Sequence, residues 1–261
     1  MYIDVHCHLT GGEYGEIGGV EGVLIRAKEE GVGLVICSGF DLDSSIIAKN
    51  LSEQYENVYF SAGFHPSELK KYKDGDLEHI KTLCTHEKCV AVGEIGLDYH
   101  FEDNPAPEMQ RTLFIAQLEL ADELGLPVVL HSRDAAQETL EILTENSALL
   151  KKGGLMHCYS YSAEMMERFL ALGLHFSFGG PSTFKNANKV QECVRRIPAP
   201  RLLSETDCPY LTPVPFRGTF PNEPKNVKYV VQNMAVLRNE NEEELQKQLL
   251  ENAKTLFFKL K

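Results

Sequence analysis

Eight short strand-like runs alternate with longer amphipathic stretches along this 261-residue chain, and that alternation limits its fold more than any other feature. The runs are Tyr2–His6, Leu34–Ser38, Val58–Gly63, Val90–Gly96, Pro127–Ser132, Gly154–Cys158, His175–Gly179 and Leu202–Asp207. They recur about every 20 to 37 residues, the size of a strand–helix unit. Between them, Met109–Leu124, Asp134–Leu143 and Ala163–Leu172 read as helices, and Glu242–Leu260 follows the last run as another. Gly125 and Pro127 close the first of these, and Gly173 closes the third. Such alternation predicts an α/β chain with a parallel sheet, and eight units predict a (β/α)8 TIM barrel. One barrel domain accounts for residues 1–261, since no low-complexity tract or linker divides them.

Composition narrows the possible partners. The net charge is -12, from 38 acidic and 26 basic residues. A broad basic face able to wrap duplex nucleic acid is therefore excluded, and any DNA or nucleotide must be gripped locally. No apolar run approaches the roughly 18 residues of a membrane span. The N-terminus has no basic segment or apolar export signal, and the seven cysteines include no CxxC pair. Buried reduced thiols in a cytoplasmic protein are the expectation, with neither a membrane nor an obligatory protein partner.

Chemistry-bearing residues gather at the ends of the runs. Residues i and i+2 of a strand share a face, so His6 and His8 point together while Cys7 points away. An HxH pair alone is a weak signal. The case is convergence, because Glu94, His131, His157 and Asp207 also stand where an apolar run meets a loop. These are the C-terminal ends of strands, where barrels keep their active sites. The long connections Leu97–Glu108 and Cys208–Lys225, the latter with five prolines, follow the same ends. Six ligands exceed what one zinc takes, since three protein groups and a water suffice. Glu94, between the two groups in strand order, is the natural bridge of a site for two divalent cations, about 3.5–4 Å apart. Imidazoles suit Zn²⁺ or Mn²⁺, whereas a phosphate substrate favours Mg²⁺. By the same parity Asp4 and Glu205 are candidates to orient a ligand imidazole through its second nitrogen.

The motifs DVHCHL (residues 4–9), GFHP (63–66), GEIGLDY (93–99), HSR (131–133), HCYS (157–160) and ETDCPYL (205–211) span the chain. It resembles the TatD family of metal-dependent deoxyribonucleases, within the wider amidohydrolase-like, metallo-dependent hydrolase barrels. The resemblance implies His6, His8 and Asp207 on one metal, His131 and His157 on the other, and Glu94 bridging. It also implies His65 and Arg133 near the substrate phosphate. Tyr161 stands where that family's motif often continues with Gly. Lys185 and Arg217 follow strands seven and eight and are further candidates to bind substrate, with Tyr99 and Phe216 as candidate base-stacking aromatics. Cys158 and Cys208 are read as packing thiols.

The expected reaction is hydrolysis of DNA phosphodiesters, as a 3′–5′ exonuclease on single-stranded ends. Asp207 is the expected base, and Arg133 and the metals are expected to neutralise phosphate charge. The rival is a small-molecule amide or lactone hydrolase, or an aminoacyl-tRNA deacylase, on the same two-metal barrel. Many such relatives place a lysine where Glu94 stands, which favours the nuclease.

Overall fold

The computed structural model describes residues 1–261. Eight strands form one sheet in chain order, every neighbouring pair parallel: β1 (Tyr2–Cys7), β2 (Val32–Ser38), β3 (Val58–Ala62), β4 (Cys89–Asp98), β5 (Val128–Arg133), β6 (Gly154–Met156), β7 (His175–Phe178) and β8 (Leu202–Ser204). Helices α1 (Gly19–Glu29), α2 (Leu42–Gln54), α3 (Asp76–Cys84), α4 (Pro107–Leu124), α5 (Ala136–Glu145), α6 (Ala163–Leu170) and α7 (Asn188–Arg196) return the chain between them, and α8 (Val227–Arg238) and α9 (Glu242–Leu256) follow β8. A parallel pair cannot be joined by a tight hairpin, so each strand needs such a crossover. Both faces of the strands are covered, and every residue of β3 and β4 is buried. No helix is long and apolar enough to cross a membrane.

The barrel predicted from the eight units is the fold found. Two strands stop two or more residues short of their apolar runs, and β3 and β7 one residue short. β6 ends at Met156 and β8 at Ser204, so His157 and Asp207 lie beyond the ladder. β4 runs further than expected, to Asp98.

The seam between β1 and β8 is made largely by loop and side-chain bonds. Ser204 Oγ donates to the Ile3 carbonyl at 2.9 Å, and the Thr206 N–H donates to Asp4 Oδ1 at 2.9 Å. The Asp207 N–H then reaches the His6 carbonyl at 3.0 Å, and the His8 N–H reaches Cys208 O at 2.7 Å. Asp4, wholly buried, also accepts from the Thr206 hydroxyl at 2.5 Å. Asp4 therefore does not orient an imidazole ring, contrary to the parity reading. The pairing register of β1 shifts between Asp4 and Cys7, so simple alternation does not carry from Asp4 to the histidines. The same seam clasps His6, His8 and Asp207 together.

Candidate metal centre

Five of the nine histidines converge on the carboxylate of Glu94. Its two oxygens face different groups. Oε1 lies 2.7 Å from His157 Nε2, 2.9 Å from His131 Nδ1 and 3.4 Å from His65 Nε2. Oε2 lies 3.2 Å from His6 Nε2 and 3.6 Å from His8 Nε2. Asp207 Oδ1 closes the second group, 3.4 Å from His8 Nε2 and 3.7 Å from His6 Nε2. Burial opposes the charge on Glu94, but the surrounding imidazoles hold its carboxyl well below the usual range. Asp207 is likewise lowered: burial raises it most, but the bond from His8 and the charges of His157, His6 and His8 together outweigh that.

Local backbone features bring these groups together. Gly96 pairs with His131 across β4 and β5, and has a φ of 142°. A Cβ there would collide with the His131 carbonyl, so only glycine lets the strands approach this closely. Asp207 itself adopts a left-handed conformation, φ 53°, just past β8. Aspartate tolerates that region better than most side chains. The turn breaks strand parity, so Glu205 does not share a strand face with Asp207. Its Oε1 instead lies 3.9 Å from His157 Nδ1, a charge pair beyond hydrogen-bond length. Burial pushes the Glu205 carboxyl up to about 7, with the charge of His157 acting the other way.

Two residues missed in the sequence hold the rings. Ser38, ending β2, contacts both histidines of the HxH pair. Its hydroxyl lies 3.0 Å from His6 Nδ1, and its carbonyl accepts from His8 Nδ1 at 3.0 Å. The carbonyl bond fixes Nδ1 as the protonated nitrogen of His8, so its Nε2 offers the lone pair toward the centre. Ser61 supports the arrangement by donating to the Ser38 hydroxyl at 3.1 Å. Asp98 stands 3.0 Å from His131 Nε2. It is four residues past Glu94 on the same strand, and parity with Glu94 was the signal that could have found it.

The donors fit a cation. His6 Nε2 is fully buried, lacks a hydrogen-bond partner and points into the space shared with Glu94, His8 and Asp207. An orphaned buried nitrogen facing carboxylates is costly unless something bridges them. Imidazoles with carboxylates are the donor set of Zn²⁺, Mn²⁺ or Fe²⁺ sites.

His8, Glu94, His131, His157 and Asp207 floor a cavity of about 540 Å³ at the C-terminal ends of the strands. His65 lines it. Its Nδ1 accepts the Ser67 N–H at 3.1 Å, so its Nε2 carries the proton and acts as a donor. Burial lowers its pKa to about 3, and the ring stays neutral. Arg133 lines the same wall, with its guanidinium 5.1 Å over the Phe101 ring. Tyr161 braces this side, its hydroxyl 3.1 Å from Ser132 Oγ, directly after His131.

Four other expectations fail. Lys185 and Arg217 do not line the cavity. Lys185 is exposed, and Arg217 lies 4.0 Å over the Phe184 ring. The reason is that their two loops bond to each other, the Val214 N–H reaching Thr183 Oγ1 at 2.9 Å. Phe216 is engaged with Tyr229, ring to ring at 5.2 Å, and Tyr99 turns its hydroxyl into a buried position. Neither ring lines the cavity. A larger cleft, about 790 Å³, opens at the opposite end of the barrel, but it holds none of the metal-competent clusters. Its Lys88 is occupied by the carbonyls of Ser52, Tyr55 and Glu56.

Known proteins share this whole architecture. The family model described as TatD related DNase matches residues 3–258. The uncharacterized metal-dependent hydrolase YabD of Bacillus subtilis is 44% identical over 257 residues, 98% of this chain and 99% of the relative. The Escherichia coli metal-dependent hydrolase YcfH is 37% identical, covering 98% and 95%. The crystal structure of the Escherichia coli TatD homologue YjjV superposes with a TM-score of 0.91 at 35% identity, covering 98% of both chains.

Proposed function

The chain belongs to the TatD-related DNase family of metal-dependent hydrolases, and on that premise we propose that it cleaves DNA phosphodiesters, as a 3′–5′ exonuclease on single-stranded ends. The observation that carries the reading is the divided carboxylate of Glu94, with one oxygen toward His6 and His8 and the other toward His131 and His157. His6, His8 and Asp207 would hold one divalent cation, His131 and His157 the second, with Glu94 between them. Bound there, such cations lower the pKa of water and neutralise charge on phosphate oxygens.

The chain's own groups do the rest. Asp207 takes the proton released as water attacks phosphorus, and delivers it to the leaving oxygen. The protonated Nε2 of His65 donates to a phosphate oxygen, and Arg133 offers its fork to another. A DNA substrate is gripped at these few points.

Labelled single-stranded DNA, an aminoacyl-tRNA and a lactone panel, each with and without chelator, test the proposal. Chelator-sensitive release of mononucleotides from the 3′ end is the expected result. Turnover of only the aminoacyl ester or the lactones would replace it with the rival hydrolase reading.

A further inference from the structure

The cavity walls carry five carboxylates, Glu13, Glu68, Glu94, Asp98 and Asp207, against a single guanidinium, Arg133. The nearby Lys71 is already paired with Asp41 and Glu68, at 2.9 and 2.7 Å, and Lys70 is engaged by the Asp103 carbonyl. Away from the cations, such a mouth repels a polyanion. Phosphate contacts alone would hold a nucleic acid poorly, and another source of affinity is needed.

Aromatic surface supplies it. Phe101 and Tyr210 line the cavity, yet remain 52% and 54% exposed. Single exposed apolar side chains need no explanation. These two stand on the loops after β4 and β8, strands on opposite sides of an eight-stranded barrel, so they form lips across the centre from each other. Arg133 extends the first lip by lying over Phe101. Phe220, 61% exposed and 6.4 Å ring to ring from Tyr210, extends the second. The backbones beneath them are fixed. The Asn104 N–H donates to Phe101 O at 3.1 Å, and Asn222 Nδ2 donates to Tyr210 O at 2.7 Å.

We propose that Phe101 and Tyr210 are stacking platforms for the nucleobases on either side of the scissile phosphate of a single-stranded nucleic acid. The inference rests on the phosphodiesterase reading above. Every base has a π-face, so such platforms bind without sequence preference. Bases paired in a duplex present no free face, so the same platforms select single strands.

The probe is a single-stranded oligonucleotide with 2-aminopurine beside its 3′ end and phosphorothioate links that slow turnover. It is added to the metal-loaded protein, and stacking quenches its fluorescence. Phe101→Ala and Tyr210→Ala should each weaken binding about tenfold or more, while Tyr210→Phe should keep it. An oligonucleotide abasic at its last two positions should bind the parent as poorly as the Phe101→Ala/Tyr210→Ala double variant binds the intact strand, with the two losses not additive. Parent-like affinity of both alanine variants, or tight binding of the abasic strand, would overturn the platforms. Quenching that responds as predicted, from a protein that cuts no unmodified strand, would keep the platforms and remove the nuclease reading alone.

Discussion

Asp98 Oδ2 lies 3.0 Å from Nε2 of His131, and this pairing turns the opposite ring nitrogen toward the metal centre. His131 thus presents Nδ1, whereas His6, His8 and His157 present Nε2 to Glu94. Asp98 is itself held by the His100 N–H at 2.9 Å and by Asn104 Nδ2 at 3.0 Å. Asp98→Asn should keep the fold and weaken cation binding beside His131 by about 10- to 100-fold, the usual scale for such supporting carboxylates. Titration against a competing chelator measures this. Equal affinity in parent and variant would mean that the ring is oriented by packing alone.

Glu94 faces both ligand groups, so Glu94→Ala should lose both cations, while His131→Ala should lose mainly one. Metal analysis after gel filtration decides the matter. Equal loss from the two variants would remove the argument for a bridge.

Asp207→Asn separates chemistry from metal holding. Asn keeps the shape and one oxygen donor while removing basicity. The group built from His131, His157 and Glu94 does not include Asp207, so its cation, the fold and nucleotide-product binding should persist. At saturating metal, kcat should fall by about 10² or more. Turnover within a few-fold of the parent would leave Asp207 as a ligand only.

Binding of single-stranded DNA should depend weakly on salt. Each phosphate neutralised by the protein contributes a slope of about -0.7 to log K against log salt. Arg133 is the only lysine or arginine among the cavity-lining residues. A slope near -1 is expected, and one as steep as that of duplex-wrapping proteins would contradict a local grip.

His175, buried at the start of β7 far from the centre, should make stability pH-dependent. Burial, aided by the charge of Arg201, lowers its pKa to about 4, against about 6.5 in an unfolded chain. Between these values the unfolded state binds a proton that the folded state refuses. The stability His175 contributes is thus fully present above about pH 6.5 and is lost as pH falls toward 4. Across that window, the Tm of His175→Gln should fall less steeply than that of the parent. Parallel curves for the two proteins would show that the ring titrates normally in the fold.

Periodicity and residue type alone placed the eight strands, because strand and helix repeats are local properties of the chain. Metal-competent side chains at one end of successive apolar runs were equally legible: His8, Glu94, His131, His157 and Asp207 line one cavity, and the buried His6 clusters with Glu94, His157, His8 and Asp207 behind it. What parity could not supply was the geometry past the last paired residue. The left-handed turn at Asp207 and the register shift in β1 sent Glu205 toward His157 and Asp4 into the seam. Long loops escaped local reasoning altogether. Arg217 was drawn over the Phe184 ring of the neighbouring loop and Lys185 was left in solvent, while Phe101 and Tyr210 took the lips of the cavity. Ser38, Asp98 and His131 become partners only when strands distant in sequence lie side by side, and hydrogen bonds of that kind exist only once the barrel has closed.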